Sequence, residues 1–323
     1  MCCESGFPPI TYDNRKVISM KNNTDPLPAA GRQNEGGNSP RSMLMLGSSM
    51  LIFGTIGIFR RHIPLSSALL SFIRGAIGSL FLLAFVRLRG RKIRHGLPRR
   101  ILILLIVSGT MIGINWILLF EAYNYTTVAT ATLCYYMEPT ILVLLSPIFF
   151  REKLTPQKLI CAAAAFAGMV LVSGAAGEGI PQGDALVGIL FGLSAAVLYA
   201  GVVIMNKMIR NVDPYEKTIL QLSSASVCLL PYLLVTGQFS RIELVPSAAI
   251  LVLIVGLVHT GIAYALYFGS TDGLQAQTIA VMSYLDPVSA LLFSAFLLKE
   301  PISAGGIPGA VLILGAALIS EWH

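Results

Sequence analysis

Charge is what this chain has least of. Asp, Glu, Lys and Arg together make up 12% of its 323 residues, about half the ~25% found in soluble domains. A water-facing surface cannot be assembled from so few charges, so most of the surface must face lipid. That excludes a soluble enzyme, a nucleic-acid-binding domain and a chain that is disordered throughout. Cysteine is scarce as well. The five (Cys2, Cys3, Cys134, Cys161 and Cys228) contain no C-x-x-C spacing, so neither a zinc site nor a disulfide framework is implied. The four histidines make no ligand cluster, no glycine pair follows a strand as in a phosphate loop, and no nucleophile–base pairing is visible. The expectation is a protein without metal or cofactor, and not an enzyme.

What the sequence does contain is apolar. Hydrophobic residues reach 55% and the mean hydropathy is +0.74. Residues 1–41 are polar, with scattered Pro, Asn and Gly, and read as a disordered cytoplasmic tail. Ten apolar blocks follow, near 42–59, 66–86, 101–122, 127–150, 158–174, 185–207, 218–236, 247–268, 274–297 and 303–320. Most reach the roughly 17–25 residues that cross a bilayer as a helix. The expected fold is therefore all-α and membrane-spanning, with ten transmembrane helices.

Basic residues orient the helices. With the N-terminus inside, 18 of the 23 Lys and Arg residues fall on the cytoplasmic side, against Arg60, Arg61, Arg241 and Lys299 outside. That split predicts a multi-pass protein of the cell membrane with both termini cytoplasmic. The basic run from Arg87 to Arg100 then rests near anionic headgroups, making membrane lipid its partner and not nucleic acid. Arg60 and Arg61 are the exception to the pattern.

The chain also repeats itself. A shift of 148 residues lays Phe120–Glu152 on Phe268–Glu300 without a gap. Tyr136-Met-Glu138-Pro139 meets Tyr284-Leu-Asp286-Pro287, and Arg151-Glu152 meets Lys299-Glu300. Chance matches between apolar helices do not produce a Tyr-x-acid-Pro element followed at the same distance by basic-Glu. The halves, 42–178 and 179–323, would each hold five helices. Five is odd, so they insert with opposite orientation, the arrangement of inverted-repeat transporters.

With Gly113-Ile-Asn115, Phe120-Glu-Ala122-Tyr123 and Tyr264-Ala-Leu266, these elements give the chain a resemblance to the drug/metabolite transporter superfamily. The resemblance is to its ten-helix branch with two EamA-type domains and spans about residues 43–320. It implies transport of a small metabolite by alternating access. The family's usual Gly before the terminal Glu is Arg151 or Lys299 here. An amino acid or related solute is the expected substrate and a proton a candidate coupling ion, in a monomer or homodimer. The rival is a membrane-embedded enzyme acting on a lipid or isoprenoid.

Ionisable groups deep in a membrane need a reason to be there. Arg74 lies thirteen residues from Arg87, or ~20 Å along a helix, too far to snorkel. It either clamps an anionic group of the substrate or pairs with Glu138 or Asp286. Those two acids lie equally deep, each thirteen residues before the basic residue that ends its block. Pro139 and Pro287 follow them and are expected to kink their helices. The carboxylates either meet substrate or repair the kinks. Trp116, Tyr136, Tyr199, Tyr264 and Tyr284 are candidate cavity walls, with core packing as the alternative. Asn115 is either a substrate contact or an interhelical hydrogen-bonding group, as is Gln221, which stands in the second half roughly where Arg74 stands in the first. His259 reads as a hydrogen-bonded structural residue or a proton relay.

Overall fold

In a computed structural model, residues 39–90, 96–150, 154–174, 182–209, 211–241, 246–271, 273–301 and 304–321 are described. Tail residues 1–38, the Arg151-Glu152 pair and Glu178 lie outside them. Among the described residues every regular element is helical.

Among the described residues the helices group into ten successive rods. The first is α1 (Pro40–Gly54) continued by α2 (Ile56–Arg61), with an interruption at Thr55. α3 (Ser67–Leu88) and α4 (Arg99–Tyr125) are unbroken. The fourth rod is split into α5 (Val128–Tyr135) and α6 (Glu138–Phe150), and α7 (Pro156–Val172) closes the first half. The second half repeats the scheme with α8 (Asp184–Met208) and α9 (Pro214–Val235). Its third rod runs through α10 (Pro246–Ile254), a π-helical segment (Val255–Ile262) and α11 (Ala263–Thr271). Its fourth is again split, into α12 (Ala276–Ser283) and α13 (Leu285–Leu297), before α14 (Gly306–Glu321). Among the described residues seven rods are long and apolar enough to cross a membrane, and the three shorter apolar helices are Pro156–Val172, Val281–Leu297 and Gly306–Ser320.

Local chemistry explains the starts. Thr127 and Thr155 accept hydrogen bonds from the backbone N–H of Thr130 and Lys158 at 3.0 and 3.3 Å. Asp213 accepts from Tyr215 N–H at 2.9 Å, with Pro214 pre-set at the first helical position. Each satisfies a donor that has no partner within its helix. The kinks differ from the expectation in position. The chain breaks at Tyr136-Met137 and at Tyr284, just before each acid–proline pair. Pro139 and Pro287 therefore occupy the first turn of α6 and α13, where a missing N–H costs nothing. Glu138 and Asp286 become first-turn residues too, next to the positive end of a helix dipole.

The packing obeys a two-fold relation between halves. If each rod n is exchanged with rod n + 5, the contact of α4 with α8 becomes that of α1 with α11. Likewise α4 on α9 becomes α3 on the π-helical segment, and α6 on α8 becomes α1 on α13. The α3–α9, α5–α13 and α7–α14 contacts map onto themselves. Most of the closest helix contacts thus run between the halves. At α7–α14 the approach is so close that a Cβ on Gly168 would stand 2.7 Å from the Gly309 carbonyl oxygen.

Candidate functional site

Where the broken fourth rods face the unbroken ones, a cavity of ≈ 850 Å³ remains. Eight of the nine residues expected to bind substrate line it: Arg74, Trp116, Tyr136, Glu138, Tyr199, Tyr264, Tyr284 and Asp286, together with Pro139. The ninth, Asn115, does not. It is fully buried on the other face of α4 and donates to the Ala195 carbonyl at 2.6 Å, the interhelical reading. Pro287, one residue after Asp286, is buried in α13 and also outside the lining.

Arg74 is 4% exposed. Its guanidinium carbon lies 3.9 Å from the centre of the Trp116 ring and 5.4 Å from that of Phe120. Its Nε donates to Thr260 Oγ1 at 3.2 Å. The expected alternative, an ion pair with Glu138 or Asp286, is not formed. Among the described residues the one salt bridge is Arg61–Glu300. Asp286 instead accepts a 2.7 Å hydrogen bond from the Tyr136 hydroxyl, joining the Tyr-x-acid-Pro elements of the two halves. Gln221 donates to Ser108 Oγ and Asn206 Oδ1 at 2.8 and 2.9 Å.

Thr260 was not visible in the sequence as a site residue, because nothing there announces the π-helix that aims it. Its hydroxyl donates to the Val255 carbonyl five residues back at 3.1 Å, satisfying the wider turn. The same turn brings His259 Nε2 within 2.9 Å of Thr55 Oγ1, at the interruption between α1 and α2. His259 is buried, with Phe59 edge-on at 4.7 Å, and it packs as the structural reading expects. Lys207 and Lys217, which the sequence marks only as cytoplasmic charge, also line the cavity.

The cavity is lopsided along the rods. At one end its lining reaches Lys207, Pro214 and Thr271, at or beside the termini of α8, α9 and α11. At the other end none of the described residues 57–66, 124–131 or 291–301 lines it. A clasp occupies that end instead. Arg61 Nη2 donates to Glu300 Oε1 at 2.7 Å and to the Thr126 carbonyl at 2.8 Å. Glu300 Oε2 accepts from Val128 N–H at 2.8 Å and from Ser294 Oγ at 2.5 Å. Ser66 donates to Gln238 alongside. Arg60, the other unexpected cation, is buried and donates to the Ile63 carbonyl and Ser67 Oγ at 3.0 and 3.1 Å.

Known proteins resemble this chain along most of its length. The profile of the EamA-like transporter family matches twice, over residues 40–174 and 186–321. The uncharacterized transporter YxxF of Bacillus subtilis is 31% identical over 271 residues, covering 84% of each chain. An uncharacterized transporter of Archaeoglobus fulgidus is 26% identical over 274 residues, covering 84% of this chain and 93% of its own. A crystal structure 23% identical in sequence superposes with a TM-score of 0.61, covering 87% of this chain and 98% of its own. That last likeness concerns the fold alone.

Proposed function

The chain belongs to the EamA-like transporter family, and from that premise we propose that it is a secondary transporter carrying a small metabolite, an amino acid or related solute, across the cell membrane by alternating access. One observation carries the reading: a single cavity, walled by both halves, reaches one end of the rods and is clasped shut at the other. A solute bound midway between Arg74 and Asp286 would meet one side at a time. The pseudo-two-fold packing supplies the second state, since exchanging the conformations of the halves moves the opening to the other end.

In this reading all ten rods cross the membrane in two inverted five-helix repeats, 42–178 and 179–323. The termini are cytoplasmic, so the open end faces inward. Glu138 and Asp286, at the starts of their half-helices, are the groups on which a coupled proton would ride. The working unit is a monomer or homodimer. The test is a thermal-shift screen of purified protein against amino acids, nucleosides, sugars and cationic drugs, since a ligand of the native state raises its apparent stability. Solutes that stabilise it should then be taken up by vesicles containing the protein. Turnover of a lipid by the purified protein, with no solute flux, would overturn the proposal in favour of a membrane enzyme.

A further inference from the structure

The cavity holds a buried cation whose forked end meets no acceptor among the described residues. Arg74 is 4% exposed, its Nε is spent on Thr260, and neither Nη atom has a hydrogen bond to any described residue. No described carboxylate comes within the 4.0 Å of an ion pair with it, although two acids line the same space. A guanidinium drawn out of bulk water and facing a cavity has donors free for a ligand. The structure holds this one firmly, with Trp116 against its face and Thr260 at its root. A planar fork fixed by stacking and presented end-on matches two parallel acceptor oxygens.

From this geometry, and resting on the transport reading above, we infer that the cavity takes an organic anion whose carboxylate docks on the Nη atoms of Arg74. The body of that anion is aromatic or apolar. Trp116 lies against the guanidinium, Tyr135, Tyr199 and Tyr264 line the same cavity, and aromatic walls favour a flat or greasy neighbour. Asp286 accepts from the Tyr136 hydroxyl at 2.7 Å and forms no ion pair with the guanidinium. At the open end the path is cationic. Lys207 and Lys217 line it, with the Lys207 ammonium 4.9 Å from the centre of the Phe150 ring, and such a mouth draws anions inward. A phosphate monoester would offer the same oxygens, and the test separates the two.

Phenylacetate, 2-phenylethanol and phenyl phosphate share a ring and differ in charge and head geometry. Purified protein titrated with each, followed by calorimetry or by the fluorescence of the indole under Arg74, should bind phenylacetate tightest. The preference over the alcohol should be about tenfold or more, the scale of one charge-assisted bidentate contact. Arg74→Gln should erase that preference while leaving the weak affinity for the alcohol, and Arg74→Lys should restore part of it. If Arg74→Gln does not fold, the wild type still decides, because equal affinity for acid and alcohol overturns the inference. Tightest binding of phenyl phosphate reassigns the anion to a phosphate and overturns the carboxylate. Vesicle uptake of the same three probes keeps the two proposals apart. Uptake without preference for the anion refutes this inference alone, whereas anion binding without uptake of any probe refutes transport alone.

Discussion

Arg61 and Glu300 meet across the two halves with side chains 34% and 12% exposed, and their energetics are not symmetric. Glu300 serves three donors, Arg61, the Val128 N–H and Ser294, whereas Arg61 serves two acceptors, Glu300 and the Thr126 carbonyl. Glu300→Ala should lower the apparent melting temperature more than Arg61→Ala. The difference should be of order 1–3 kcal/mol, because truncating Glu300 leaves a half-buried backbone donor unmet. Equal losses would mean the ion pair, not the three-way acceptor, holds that end. At this scale the sequence showed the acids, the tyrosines and Arg74 but not their partners. Arg60 and Arg61 remain exceptions to the charge rule, and only the structure shows what they bind. Asn115 stood beside Trp116 in the chain yet faces away, because adjacent helical positions diverge by about 100°.

The π-helical segment is the element that sequence patterning misses. Val255–Ile262 reads as unbroken apolar helix, and the wider turn is settled only by what packs against it. α3 supplies that surface at Gly78, where a Cβ would fall 2.3 Å from the Thr260 methyl. Gly78→Ala should therefore push away the residue that holds Arg74. Overpacking predicts a stability loss of about 1–3 kcal/mol with weakened anion binding, read by thermal melting and titration. Unchanged binding would show that Thr260 does not position the guanidinium. The unbroken rods were legible because length and hydropathy suffice to define them: block 66–86 became Ser67–Leu88, and 185–207 became Asp184–Met208. Both splits were foreshadowed by proline, although the breaks fall before the acids. Pro139→Ala and Pro287→Ala should let α5 join α6 and α12 join α13, keeping protein in the membrane while slowing transport. Normal rates in both variants would make the breaks packing features only.

For the whole molecule, the repeat was the most legible feature, since polar identities at fixed spacing stand out against interchangeable apolar residues. The interleaving of the halves was not, because helix order says nothing of which rods touch. Charge asymmetry predicts the orientation. In intact cells Arg89→Cys should resist a membrane-impermeant maleimide and Gln182→Cys should react, and the reverse pattern would invert the assignment. The central claim, one cavity presented to two sides in turn, is tested most directly by labelling Ser283→Cys, which lines the cavity, in a chain stripped of its native cysteines. Under alternating access it reacts with the impermeant reagent both in inside-out vesicles and, more slowly, from outside intact cells. Bridging Arg61→Cys and Glu300→Cys beforehand with a short bis-maleimide should abolish the outside reaction and spare the inside one. Outside labelling that survives the bridge, or that never occurs without it, would contradict alternating access.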